Sequence, residues 1–503
     1  MSEKMNVLFF ITDQQRADHL GCAGNKILKT PNLDRLASES VRFNSAYVAN
    51  PVCMPNRCCM FTGLYPNMHV RVPGVNLPED IPTFTETLRK DGYVTKAIGK
   101  MHLQWWVRPT SKHNKSAEDN KKWRTKRFHA QMRENFPKNF YGFNSVDLIV
   151  GHGDCCNGHY TDWLEERAPQ YIPIIDEVRK TALDFIYRKT QIPEEFYPTS
   201  YCTDRAVDFL EKYSKGDFGK EPFFLNVSYP DPHHPVTPPG KWAEMYKPED
   251  MELPESFSNV EYVRNHKFLG DKIDHVIFRR MIHRTTNEEE ARNFIAHTYG
   301  TLSMIDHSVG QILASLEKLG LADNTIIVYT SDHGDMAGDQ GMILKGFLPF
   351  NGILNVPLIW KVPGMTKGEV SDSLVSAIDL APTILNLCGI KKKNQPPDFQ
   401  GVDVTPALKD PKVKVRDSCL VEFDGASGAN RAMRLKYLIT DRYNLTLYNE
   451  MEGYGDLYDR KNDPHELNNL WFTNPELRCK LLEKIFHETL KAQSLYPHRQ
   501  AQT

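Results

Sequence analysis

Apolar residues run without a break from Asn6 to Thr12, and a short run of that kind predicts a strand buried on both faces. Residues 93–98, 223–228, 325–330 and 356–360 have the same character and are read as further strands. Helical segments lie between them. One opens with Thr30 as cap and Pro31 in the first turn. A second runs from about Thr83 through Leu88 and stops at Gly92, and a long one covers 290–319 and stops at Gly320. An amphipathic helix is predicted over 475–490. The opening order of strand, helix, helix, strand, with apolar strands, predicts an α/β fold in which helices cover a mainly parallel sheet.

Residues 104–140 break this pattern. They hold Trp105, Trp106 and Trp123 among many lysines and arginines, without periodicity. Two readings stand: a solvated insertion anchored by a few aromatics, or a cationic lid over an anion site. Lys391-Lys392-Lys393 and Pro396-Pro397 mark a boundary between a domain at 1–390 and a smaller one at 398–503. No internal repeat or long low-complexity tract interrupts either part.

Composition narrows the class. The 503 residues are 25% charged and 40% hydrophobic with net charge −2, so the overall balance favours neither nucleic acid nor an anionic membrane as partner. No apolar run approaches the roughly 20 residues needed to span a bilayer. The apolar segment after Met5 is too short and wrongly flanked for a signal peptide, which predicts a cytoplasmic protein. Ten cysteines, among them the adjacent pairs Cys58-Cys59 and Cys155-Cys156, fit reduced thiols better than a disulfide scaffold.

The chemistry lies past the strands. The first strand delivers Asp13 and Gln14, the second Lys100 and His102, the 223–228 strand Asp231, His233 and His234, and the 325–330 strand Asp332 and His333. Ligands of open α/β sheets bind outside the carboxyl ends of strands, so these clusters are expected at one edge. Asp13, Gln14, Asp332 and His333 offer three oxygens and one nitrogen, a set suited to a hard divalent ion such as calcium, magnesium or manganese. Arg57, Lys100, His102, His233 and Lys345 would surround a tetrahedral anion with cations and donors. Cys53 is the candidate nucleophile, against the plain alternative of a small buried hydrophobe. Cys58 and Cys59 are expected to pack. His152, Asp154, Cys155, Cys156 and His159 match no usual zinc spacing and are read as a loop near the substrate.

Taken together, Asp13-Gln14, Cys53-Met54-Pro55-Asn56-Arg57, Gly99-Lys100-Met101-His102, Asp231-Pro232-His233-His234-Pro235 and Ser331-Asp332-His333-Gly334-Asp335 resemble the formylglycine-dependent sulfatases of the alkaline phosphatase superfamily. Asp456-Leu457-Tyr458-Asp459 with Asn462-Asp463-Pro464-His465-Glu466 resembles that family's C-terminal subdomain. The resemblance implies an alkaline-phosphatase-like mixed, mainly parallel sheet with a smaller C-terminal α+β subdomain. It implies that Cys53 is oxidised to formylglycine by a maturation enzyme, and that its hydrated aldehyde attacks the ester and later expels the oxyanion. It further implies one divalent metal, calcium or manganese, on Asp13, Gln14, the modified Cys53, Asp332 and His333. Arg57 would orient the diol, Lys100 hold the anion, His102 deprotonate the second hydroxyl, and His233 with Lys345 stand at the leaving-group oxygen. Gln14 and His333 stand where many such enzymes carry Asp and Asn, and Asn56 stands where Ser or Ala is more usual. Gln14 and His333 resemble the branch with phosphonate monoester hydrolases and choline-sulfatase-like enzymes. The expectation is a sulfuric ester hydrolase acting on a small-molecule or saccharide sulfate, with a phosphonate monoester or phosphodiester hydrolase as the alternative. A degenerate anion- or glycan-binding member is the non-enzymatic reading. Assembly into a homo-oligomer stays open.

Overall fold

The computed structural model describes residues 4–71, 74–106, 116–180, 185–270, 283–365, 367–426, 432–449 and 451–493. Nine strands form the main sheet: β1 (Asn6–Thr12), β2 (Val41–Phe43), β3 (Val94–Lys100), β4 (Ser145–Val150), β5 (Asn157–Gly158), β6 (Phe223–Ser228), β7 (Thr325–Ser331), β8 (Leu358–Lys361) and β9 (Glu369–Ser371). Their spatial order is β9-β2-β8-β7-β1-β6-β3-β4-β5. The inner strands β7, β1, β6, β3 and β4 are parallel, while β8 runs antiparallel to both β7 and β2.

Every residue of β1 is buried, as its unbroken apolar run requires. Side chains alternate across a strand, and β1 accordingly feeds two cores. Val7, Phe9 and Ile11 pack on one face with Phe224, Ile326 and Val328, whereas Leu8 and Phe10 pack on the other with Ile98, Leu225 and Tyr329. The second face is covered by the long helix Glu288–Lys318, which contributes Ile295, Leu302 and Ile305. Close approach is needed at Gly99 in β3, where φ is +96° and a Cβ would strike the carbonyl oxygen of Ser228 in β6.

Strand β8 begins at Leu358, later than the 356–360 pattern suggests, because Pro357 has no N–H for the ladder. Strand β3 ends later than expected, so Lys100 is its last residue. The aperiodic stretch after 104 holds two short helices, Asn120–Arg124 and Lys126–Glu134; residues 107–115 lie outside the described set. A second sheet of four antiparallel strands, β10 (Ser418–Ala426), β11 (Ala432–Thr440), β12 (Tyr443–Tyr448) and β13 (Gly455–Asp459), is joined by the helix Pro475–Ala492. Its Leu435 and Leu438 share a core with Met54 and Phe347 of the main layer, which makes the C-terminal sheet a wall behind the site.

Candidate active site

Cys53 opens a helix, Cys53–Thr62, that is buried along its whole length. Its Sγ lies 3.8 Å from Lys345 Nζ and is grouped with Asp332 and His333, their ligand atoms all within 4.8 Å of one another. Burial alone would push the Cys53 thiol up, but Lys100, Lys345 and His102 outweigh it and hold the thiol well below its ordinary value. Cys58 and Cys59, on the same helix, face the core, and burial pushes both thiols up. The neighbouring residues therefore separate into one activated thiol and two packing ones.

Arg57 is four residues on from Cys53, one turn along the same helix. Its Nε donates to Asp332 Oδ2 at 2.6 Å, and Nη1 donates to Lys100 O and Ser228 Oγ, both at 2.7 Å. Nη2 is buried without a protein partner. Asn56 is a strut: its Oδ1 accepts from Ala49 N at 2.8 Å and its Nδ2 donates to Asp332 O at 2.6 Å.

Asp13, after β1, and Asp332, after β7, come together because β1 and β7 pair in parallel register. Asp13 Oδ1 is buried with no hydrogen-bond partner, and His333 Nε2 lies 3.4 Å from it. Burial would raise the Asp13 carboxyl, yet Lys100 and His233 hold it well below the usual carboxylate range. His333 Nδ1 donates to Gly334 O at 2.9 Å, which turns Nε2 inward. Gln14, at φ +71°, donates its N–H to Asp332 Oδ1 at 3.2 Å; its side-chain Nε2 donates to Asp335 Oδ2 at 2.5 Å. An orphaned carboxylate oxygen beside a second carboxylate and an inward imidazole nitrogen fits a hard divalent cation, with Asp13, Asp332 and His333 as the protein ligands and Gln14 and residue 53 beside them.

Lys100 Nζ contacts Asp13 Oδ2 and donates to His152 Nε2 at 3.0 Å. Lys345 Nζ donates to His333 Nε2 at 2.8 Å. His102, at φ +52°, has both ring nitrogens buried without a hydrogen-bond partner and stacks on Trp106 at 3.9 Å. His233 Nδ1 donates to His234 O at 2.6 Å, and burial together with His152 and Lys345 pushes its ring well below the ordinary imidazole value. His234 faces Gln14 Oε1 at 3.3 Å. Asp231 lies beneath the cup rather than in it: its carbonyl accepts from Asp13 N, and its carboxylate accepts from Thr199 and Tyr197.

Three residues enter that the strand-end pattern did not single out as site residues. His152 follows β4 and reaches Asp13 and Lys100; burial and Lys100 push it down to about 3, so the ring is neutral. Trp106 comes from the aperiodic segment, with Lys100 Nζ over its ring at 4.9 Å. Glu118 accepts from the backbone N–H groups of His102, Leu103 and Gln104 and from Trp106 Nε1. Among the described residues of the aperiodic segment, Trp106 and Trp123 are anchored in the core and Glu118 fixes the loop that carries His102. The zinc alternative fails on geometry. Asp154 pairs with Arg188, and His159 Nδ1 accepts from Leu148 N, so the donors around Cys155 and Cys156 do not converge.

A mainly parallel sheet, a thiol at the start of a buried helix, two carboxylates and a ring of cations at the strand ends define an alkaline-phosphatase-like hydrolase of anionic esters. Residues 5–390 match the sulfatase family, and residues 338–494 match N-sulphoglucosamine sulphohydrolase, C-terminal. The chain belongs to the sulfatase family. It is 29% identical over 476 residues to an arylsulfatase from Clostridium perfringens, covering 93% of this chain and 90% of that one. It is 25% identical over 545 residues to an N-acetylglucosamine-6-O-sulfatase from Bacteroides thetaiotaomicron, covering 97% and 87%. The phosphonate monoester hydrolase of Agrobacterium radiobacter shares the fold, with a TM-score of 0.78 at 23% identity over 97% of this chain and 96% of that one. The chain is a sulfuric ester hydrolase by family. No helix among the described residues is long and apolar enough to cross a membrane.

Proposed function

We propose that the chain hydrolyses a small-molecule or saccharide sulfate ester, with residue 53 in its formylglycine form as nucleophile. A calcium or manganese ion would be held by Asp13, Gln14, Asp332, His333 and residue 53. The observation that carries this is the convergence of Lys100, Lys345 and His102 on one buried side chain beside two carboxylates. The hydrated aldehyde supplies the attacking hydroxyl and the cation supplies Lewis-acid polarisation. The chain's own residues do the rest. Lys100 and Lys345 bind the oxygens of the anion and balance the charge that grows there. Arg57 anchors Asp332 and keeps one N–H facing the cup. His102 takes the proton that residue 53 must lose. His233 is neutral in the free site; the incoming ester brings the negative charge that lets it take up a proton, which it hands to the departing alcohol oxygen.

The relatives named for aryl and N-acetylglucosamine sulfates support either kind of alcohol, and Trp106 beside Lys100 suits both. Ten free thiols support a cytoplasmic location and leave Cys53 available to a maturation enzyme. A second reading, hydrolysis of phosphonate monoesters, is favoured by Gln14 and His333 and by the fold shared with the Agrobacterium hydrolase. The test is kcat/KM on aryl sulfates, sulfated sugars and phenylphosphonates, using protein co-expressed with a formylglycine-generating enzyme. The sulfate esters are expected to be the better substrates; higher efficiency on the phosphorus esters would reverse the assignment. Mass spectrometry of the peptide spanning Cys53 should show the aldehyde, and unmodified thiol together with no turnover would mark a binding protein.

A further inference from the structure

We propose that His152 is a positioning residue for ester hydrolysis: it fixes the direction of the Lys100 ammonium and the plane of the His233 ring. This rests on the sulfatase reading above. A lysine ammonium has three N–H donors and no acceptor. One N–H of Lys100 goes to Asp13, and a second goes to His152 Nε2 at 3.0 Å. Asp13 Oδ2 also lies 3.5 Å from Nε2, but the ammonium is the closer partner and can only donate, so Nε2 presents its lone pair to it and the ring proton sits on Nδ1. The third N–H is left for an oxygen of the bound ester. Without His152 the ammonium keeps a single anchor, the Asp13 carboxylate, and can swing about it.

The second contact is face to face. The rings of His152 and His233 lie 3.5 Å apart at 9°, and Trp106 stands 5.0 Å from His152. His233 is tied at one edge to the carbonyl of His234, whose ring lies 4.2 Å from it at 21°, and the His152 contact is the closer and more nearly parallel of these two.

The loop that carries His152 is built for this contact. Gly153, at φ +49°, lies so close to the segment after His234 that a Cβ would meet Pro235 O and Thr237 Oγ1. Asp154 N donates to Thr237 Oγ1 at 2.9 Å, and the Asp154 carboxylate is held by Arg188 at 2.6 Å. The loops bearing His152 and His233 are therefore pinned together on the side away from the cup. The His152 side chain keeps 19% of its surface exposed, unlike the fully buried Lys100, which places it at the mouth rather than in the packing layer.

The test uses full-length protein in two forms. His152→Phe keeps a stacking ring but accepts no hydrogen bond, and His152→Gln restores an acceptor without the ring. On matured enzyme, His152→Phe is expected to lower kcat/KM about 10- to 100-fold, mostly in kcat, the range for losing a hydrogen bond to a charged group. His152→Gln should recover a large part of that loss, and both should melt close to the wild type. On unmatured protein, calorimetric titration with inorganic sulfate gives a readout without turnover, and His152→Phe should weaken it about fivefold. Wild-type kcat, KM and sulfate affinity in His152→Phe would overturn the proposal. So would equal losses in both variants accompanied by a lowered melting temperature, which mark a packing role. If the wild type turns over no ester at all, the functional reading fails, and His152 is judged on sulfate binding alone.

Discussion

Arg57 Nε and Asp332 Oδ2 meet at 2.6 Å with neither side chain more than 1% exposed, and 275 residues of chain separate them. The pair joins the helix of the nucleophile to the end of β7. A buried ion pair is a poor source of net stability, but removing one partner leaves an uncompensated charge. Arg57→Ala is therefore expected to cost about 3–5 kcal/mol in guanidinium unfolding, as well as most of the activity. A loss under about 1 kcal/mol would mean that water or the Lys100 ammonium already balances Asp332.

Cys53 differs, because Lys100, Lys345 and His102 hold its thiol well below the ordinary value against burial, and it lies outside the apolar core. Cys53→Ala should leave the melting temperature within a few degrees of the wild type, since it removes one small atom at the edge of the cup. It should abolish turnover. A residual rate near the wild-type value would transfer the nucleophile's role to another group.

Lys345 lies between His333 Nε2 and Cys53 Sγ. If it faces the departing oxygen, the damage done by Lys345→Ala depends on the alcohol. Esters of poorly acidic alcohols should lose about 100-fold or more, and 4-nitrophenyl sulfate distinctly less. A plot of log kcat/KM against leaving-group pKa checks this: a steeper slope in the variant is expected, and parallel lines would leave Lys345 a structural ligand-holder.

Much of this site was legible from strand ends. Asp13, Lys100, His233 and Asp332 each follow an apolar run, and parallel pairing brings such ends to one edge whatever the loops do. Asn56 stood out only as an unusual residue; its strut between Ala49 and Asp332 needs coordinates, because no local pattern says which carbonyl an amide will reach. The sequence places His152 in a loop near the substrate, but its stacking on His233 depends on the β4-β3-β6 order, which periodicity does not encode. Trp106 and Glu118 were hidden for another reason. Their segment has no period because its apolar anchors, Trp106 and Trp123, are isolated residues, and the carboxylate of Glu118 is held by backbone N–H groups rather than by a repeated face.

Glu118 tests that last point. Four donors, three of them consecutive backbone N–H groups, converge on one buried carboxylate with no cation among them. Glu118→Gln keeps the size but turns an NH2 toward these donors, and each buried donor left unpaired costs about 1–3 kcal/mol. The loop should loosen at His102, with kcat falling about tenfold or more and faster proteolysis between residues 102 and 118. Unchanged cleavage together with unchanged kcat would show that the nest is not what sets His102.

Glu466 gives a pH test at a carboxyl whose hydrogen-bond partners, Asn351 and Asn444, are not metal-type ligands. Its Oε2 accepts from Asn351 N at 2.8 Å and Oε1 accepts from Asn444 Nδ2 at 3.0 Å, linking the C-terminal sheet to the main layer. Burial pushes its carboxyl up to about 8, against partial relief from these donors. The folded state holds a proton that the unfolded chain releases near the ordinary glutamate pKa, so this contribution is fully present below about 4.5 and is lost as pH rises through about 8. Unfolding free energies measured from pH 6 to 9 should fall in the wild type, by on the order of a few kcal/mol over that window. In Glu466→Gln, which has no proton to lose, the slope should flatten. Parallel slopes in the two proteins would assign the alkaline loss to other groups and leave Glu466 ionised in the fold.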